Sequence, residues 1–224
     1  MRINIIQHTP NERPGLIKTW AQVHQHAIYI YHPYQFDIFP RIEETDLLVI
    51  LGGPMSVNDS LPWLKTERQL IKSALEAKIP ILGICLGAQQ IVKTLGGQIT
   101  TAPVKEAGWA PVHLENQIIP TLPEKLTVLH WHGETFSLPP AAKLLFSSKL
   151  VKNQGFIYHG NVIGLQFHLE LELENLREIV INDGNYLNSS IFKQSSQQVL
   201  NFDIPKQNKN IMFTLLDYLI SRSF

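Results

Sequence analysis

The chain holds a single cysteine, and its setting is the first chemical signal. Gly83-Ile84-Cys85-Leu86-Gly87 puts the thiol between two glycines, after an apolar run and before a helical pattern. This is the pattern of a nucleophile elbow, a tight strand-to-helix turn that lifts one side chain above a sheet. A residue on such a turn is strained, and side chains two positions to either side would collide with the strand and helix packed below, so glycine is needed at both places. The turn also sets the sulfur at a helix N-terminus, where free amides and the dipole favour thiolate. The ordinary alternative is a buried packing cysteine; the paired glycines favour the nucleophile.

A cysteine nucleophile needs a base that can also donate a proton. Of the nine histidines, His8, His24, His26, His32, His113 and His159 fall in predicted loops or on polar helix faces, with no acidic neighbour arranged to orient them. Two patterns stand out: His130-Trp131-His132-Gly133-Glu134 and His168-Leu169-Glu170, each with a carboxylate two residues beyond an imidazole. On extended backbone such pairs share a face. His168 follows the apolar run Val162 to Phe167, so it emerges at the end of a buried strand, where doubly wound sheets collect functional groups. His168 is therefore the expected base, with Glu170 holding its tautomer and orientation. His130 and His132 could be a zinc pair, but no further ligand set of suitable spacing accompanies them, so no metal is expected and a substrate-lining loop fits better. Gly52-Gly53-Pro54 is at least a tight turn. Its position also suits an oxyanion loop, with the Gly53 and Leu86 amides aimed at a tetrahedral intermediate; losing one such donor costs about 10² to 10³ in rate.

These residues require a scaffold of alternating strands and helices. Ile3 to Ile6 reads as a first strand, Leu16, Trp20 and Val23 recur at helical spacing, and Ala27 to Tyr31 turns β-branched and aromatic before Pro33. Leu47 to Leu51 is a buried strand ending at the glycine pair, Leu64 to Leu75 a helix, and Pro80 the entry to a strand ending at Ile84. Ala88, Ile91, Val92 and Leu95 form a helical stripe that stops at Gly96-Gly97. From Gln98 to Phe167 strand-like runs dominate, including Leu126 to Leu129, Lys143 to Phe146 and Val162 to Phe167. Helices return at Leu173 to Val180 and Ile211 to Ile220. Between them, Asn182 to Gln198 is rich in Asn, Ser and Gln and reads as a surface excursion. The expected fold is α/β: an open, mostly parallel, doubly wound sheet with flanking helices and a small β-rich subregion, in a single domain over 1–224.

Composition excludes several classes. With 224 residues, 44% hydrophobic and 17% charged, the chain can bury a sizeable core. Lys plus Arg and Asp plus Glu both total 19, so no broad positive field exists for phosphates and nucleic acid is not an expected partner. Apolar runs are far short of the roughly 18 to 20 residues of a membrane span, and Met1 to Ile6 is too brief for a secretory core. A cytoplasmic protein is expected. One cysteine excludes an internal disulfide.

Together, Leu51-Gly52-Gly53-Pro54, Gly83-Ile84-Cys85-Leu86-Gly87-Ala88-Gln89 and Gly164-Leu165-Gln166-Phe167-His168-Leu169-Glu170 resemble the class I glutamine amidotransferase family, in its order and near its intervals. Glu106-Ala107-Gly108-Trp109 and Trp131-His132-Gly133-Glu134-Thr135-Phe136 further resemble stand-alone proteins related to the amidotransferase domain of GMP synthase. The likeness covers about 1–180, leaving 181–224 as a C-terminal extension with a closing helix. It implies a flavodoxin-like fold and attack of Cys85 on the side-chain amide of glutamine, giving a γ-glutamyl thioester. His168 and Glu170 complete the implied triad, Gly53 and Leu86 supply oxyanion amides, and Gln89 and Gly52 contact substrate. Trp131, Gly133 and Glu134 lie near its amino-acid end. No cofactor is implied. The family usually has Pro between its His and Glu; Leu169 here is expected to loosen the backbone. No ATP-using motif accompanies the glutaminase-like region, so ammonia would go to a separate synthetase subunit, or the chain would act alone as a glutaminase or γ-glutamyl peptidase. A non-catalytic regulatory module of the same fold is the further alternative.

Overall fold

In the computed structural model, residues 1–222 are described, and one nine-stranded sheet organises them. The chain runs β1 (Arg2–Ile6), α1 (Leu16–Val23), β2 (Ala27–Tyr31), a single-turn α2 (Pro33–Phe36), β3 (Leu47–Ile50), α3 (Pro62–Glu76), β4 (Ile81–Ile84) and α4 (Leu86–Thr94). There follow the long β5 (Ile99–Leu114) and β6 (Lys125–Phe136), then β7 (Ala142–Ser147), β8 (Gly155–Tyr158), β9 (Val162–Leu165), α5 (Leu173–Asp183), α6 (Ser196–Leu200) and α7 (Lys206–Ile220). The spatial order is β2-β1-β3-β4-β9-β8-β7-β5-β6. Pairs from β2 through β9 are parallel. From β9 outward they are antiparallel. The expected β-rich subregion is thus an uninterrupted continuation of the parallel sheet.

Burial explains which strands are central. β3 and β4 read Leu-Leu-Val-Ile and Ile-Leu-Gly-Ile and are buried at every position, as strands covered on both faces must be. One face packs α1 and α7 around Trp20, Leu215 and Leu216; the other packs α3 and α4 around Ile71, Ala88 and Ile91. A third cluster joins β5 and β6 to α5 and α6 through Trp109, Trp131, Leu176 and Val199. Trp20 is fully buried, and its indole N–H donates to Asp217 at 2.8 Å, tying α1 to α7. At the end of α4 the chain leaves the helix through Gly96, whose φ of +84° suits glycine.

Asn182 to Gln198 is not the loose excursion its composition suggests. Leu187 and Ser190 are buried, the Ser190 hydroxyl donates to the Ala107 carbonyl at 2.6 Å, and Gln194 exchanges hydrogen bonds with the Trp109 backbone at 2.8 and 2.9 Å. Polar side chains here satisfy the free edge groups of β5, a role that composition hides.

Candidate active site

The carboxyl ends of β1, β3 and β4 open on one cavity of about 490 Å³, the edge at which parallel sheets gather chemistry; His168 and Glu170 lie beneath its lining. Cys85 stands at its floor with φ +49° and ψ −107°, between β4 and the first turn of α4. The elbow glycines are there for space. A Cβ on Gly87 would run into the Ile50 carbonyl, and one on Gly83 would sit 2.6 Å from Ile91 and 2.8 Å from the Ala88 amide. The sulfur is mostly covered, and burial pushes its thiol up, partly opposed by the His168 ring and the Leu86 amide. The expected acidified thiol is therefore not met: loss of water outweighs the helix N-terminus.

His168 comes off the end of β9, and its backbone N–H donates to the Leu129 carbonyl of β6 at 2.8 Å. Its Nδ1 lies 2.8 Å from Glu170, an ion-pair contact shut away from solvent, while the ring interacts with the Cys85 sulfur on the other side. Burial alone would lower His168; the Glu170 carboxylate and the sulfur more than reverse this, holding it well above the usual imidazole range. Leu169 does not loosen this segment. Its N–H donates to the second Glu170 oxygen at 3.0 Å, a bond that proline could not make.

Among the other predicted residues, Gly53, Leu86, Gln89, Trp131, Gly133 and Glu134 all line the cavity. A Cβ on Gly53 would touch Leu86 at 3.1 Å, so the two supposed oxyanion positions are neighbours. Gly52 is not part of the lining: it is buried, and its carbonyl accepts from His8. Gln89 donates to Gln166 at 3.1 Å, and Gln166 donates to the Cys85 sulfur at 3.7 Å. Trp131 stacks on Tyr186 at 5.9 Å and donates to Asp183 at 2.9 Å, so the polar stretch after α5 forms one wall.

A profile for "Glutamine amidotransferase class-I" matches residues 19–185. The chain belongs to the class I glutamine amidotransferase family. Over 191 residues it is 30% identical to a glutamine amidotransferase-like protein, YfeJ, of Salmonella typhimurium, covering 80% of each. It is 33% identical over 136 residues to one subunit of a glutamine-hydrolysing GMP synthase of Sulfolobus acidocaldarius, covering 59% of this chain and 71% of that one. A glutamine-hydrolysing GMP synthase of Natranaerobius thermophilus is 32% identical, but the match spans only 30% of its length. A glutamine amidotransferase of Thermotoga maritima superposes with a TM-score of 0.90 at 30% identity, covering 98% of both chains.

In this amidotransferase the structure adds residues that the sequence did not reveal. Glu12, in the loop after β1, reaches the cavity beside Gly52 and the His168 ring, with its Oε2 buried and unpartnered. Burial raises its carboxyl, the His168 ring drawing it partly back. Gln166 is within reach of the two-residue periodicity that marks His168 and Glu170; it is the preceding member of that series. His8 departs from its sequence expectation, since it does have an acid to orient it: it is fully buried and lies 2.6 Å from Glu67 of α3, with Nδ1 on the Gly52 carbonyl. It braces the glycine loop rather than lining the cavity. His24 also has an acidic neighbour, Asp217 at 3.6 Å, on the partly exposed α1–α7 side. Among the described residues no helix is long and apolar enough to cross a membrane.

Proposed function

We propose that the protein hydrolyses the γ-amide of glutamine through Cys85, His168 and Glu170. The observation that carries this is one buried imidazole held by a buried carboxylate at 2.8 Å and coupled to the elbow sulfur, which itself stands at the floor of an open cavity. His168 takes the thiol proton as the sulfur attacks the amide carbon, and the amides of Gly53 and Leu86 receive the charge that develops on oxygen. Collapse breaks the carbon–nitrogen bond while His168 returns its proton to the departing ammonia, leaving a γ-glutamyl thioester. Water, deprotonated by His168, then releases glutamate and regenerates the thiol. Glu170 steadies the imidazolium through both halves.

Binding is assigned on the same basis. Gln89, Trp131, Gly133 and Glu134 take the amino-acid end of the substrate, with Gly52 acting behind the glycine loop through its carbonyl. The unpartnered Glu12 oxygen receives the substrate's ammonium group, since a buried carboxylate without a donor favours a cation. Ammonia passes to a separate synthetase subunit. Likeness to a glutamine-hydrolysing GMP synthase that is built from more than one chain supports this reading. A reducing, cytoplasmic setting keeps the single thiol competent.

A glutamine-mimicking diazo-ketone or chloro-isoxazoline should add one covalent label to Cys85, absent in Cys85→Ala, and ammonia and glutamate should appear in equal amounts. Intact protein that stays unlabelled and releases neither product, even beside cell extract, would overturn the assignment. Copurification with an ATP-using synthetase supports ammonia transfer. Rapid turnover of γ-glutamyl peptides by the isolated chain, with glutamine inert, replaces it with the peptidase.

A further inference from the structure

At the wall of the cavity, which His132 itself lines, β5 and β6 bring together three side chains that the proposed hydrolysis does not use. Glu106 pairs in register with His132, and His130 lies on the same face two residues earlier. All three are buried, and one ligand-type atom from each lies within 4.8 Å of the others; among the described residues no other such group of three occurs. Glu106 Oε2 is 3.4 Å from His130 Nδ1 and 3.3 Å from His132 Nε2, and the two nitrogens are 3.5 Å apart.

These separations are long for hydrogen bonds between a carboxylate and an imidazole, which run at about 2.7–2.9 Å. The same protein shows what such a pair looks like when it is bonded: His8–Glu67 at 2.6 Å and His168–Glu170 at 2.8 Å. They do match the edge of a tetrahedron. With ligands about 2.05 Å from a central ion, neighbouring ligand atoms stand about 3.35 Å apart around a tetrahedron, against about 2.9 Å around an octahedron. The tautomer agrees. His132 Nδ1 lies 3.1 Å from the Glu134 carbonyl, which can only accept, so Nδ1 carries the hydrogen and Nε2 of the neutral ring presents a lone pair to the cluster. Two lone-pair atoms, His132 Nε2 and Glu106 Oε2, then face each other across 3.3 Å in a buried space, an arrangement that a cation between them relieves. Gln154 brings its side-chain amide to the same point, 2.6 Å from Glu106 Oε2 and 3.4 Å from His132 Nε2, while its Oε1 is buried without a partner. A half-turn of that amide offers an oxygen to a fourth position.

We infer that Glu106, His130 and His132 form a binding site for a tetrahedral divalent transition-metal ion of the zinc class, closed on its fourth side by Gln154 or water. The ion rivets β5 to β6 through His132, between the lining residues Trp131 and Gly133, so its role is to stiffen the wall of the substrate cavity, not to touch the reacting bond. Sequence spacing missed the site because Glu106 reaches it across the sheet, through strand register.

The test uses the untagged full chain as Cys85→Ser, which removes the elbow thiol as a competing zinc ligand. Competition of Zn²⁺ against a chromophoric chelator should give one site per chain at micromolar affinity or tighter. Glu106→Gln and His132→Gln should each weaken it at least tenfold. Loading the same protein with Co²⁺ reads geometry without altering any ligand: intense visible absorption marks tetrahedral coordination by this set. Binding weaker than millimolar, unchanged affinity in both variants, or only the faint absorption of octahedral Co²⁺ would overturn the site. Because the readouts are stoichiometry and spectrum, they stand or fall independently of glutamine hydrolysis.

Discussion

Cys85 and His168 both titrate above their ordinary values in the folded protein, the thiol because it is buried and the ring because Glu170 and the sulfur overcome its burial. Attack requires a proton to leave this pair, so with both groups raised kcat/KM should climb with pH as that proton leaves. Glu170→Gln removes the carboxylate that raises His168, so the rising limb should move to lower pH while kcat falls by about 10³ to 10⁴; an unmoved limb would show that Glu170 does not act on the ring. Glu12→Gln takes away one charge-assisted contact and should raise KM for glutamine about tenfold with kcat nearly unchanged, read from initial rates of ammonia release. The proposed triad positions could be picked out because each travels with a local pattern: glycines around Cys85 and an acid two residues from His168. Glu12 carries no such mark. It is one polar residue in a loop, and only the packing of Gly52 against His168 makes it matter.

The element that carries Glu12 is latched to the triad strand from below. The first amide of α1, Leu16 N–H, donates to the Glu170 carbonyl at 2.7 Å, and Asn175 of α5 donates to the Arg13 carbonyl at 3.1 Å. Gly15, with φ +45°, lies so close to the Glu170 carbonyl that a Cβ cannot fit. Gly15→Ala should therefore displace residue 170, lowering kcat more than KM and lowering the unfolding midpoint by several degrees in a thermal melt. On the opposite side, α3 is joined to the end of β1 by His8 and Glu67. Burial alone would lower His8, but Glu67 raises it overall, so this pair's stabilisation is complete below the ordinary imidazole range and fades as pH rises through the raised value. Glu67→Ala should cost about 3 kcal/mol in urea unfolding at pH 6 and less at pH 9. Helices and central strands were readable from periodicity, but this clasp was not: His8 and Glu67 are 59 positions apart and neither lies in a recognisable motif.

Across the whole molecule, opposite charges balance at 19 each, so no net field draws substrate in. Glutamine is itself a neutral zwitterion, and kcat/KM should change less than twofold between low and moderate salt in steady-state assays, unlike an electrostatically steered enzyme. Alternating strands and helices identified the parallel half of the sheet from sequence. How the antiparallel half attaches depends on long-range pairing, such as β9 beside β4 and β7 beside β5, which no local window contains. A backbone hydrogen bond also crosses that divide: the residue 168 N–H donates to the Leu129 carbonyl of β6. Strand β6 therefore fixes the backbone from which the proposed base projects. Substitutions that shift this outer strand should therefore register at the imidazole, as a change in turnover.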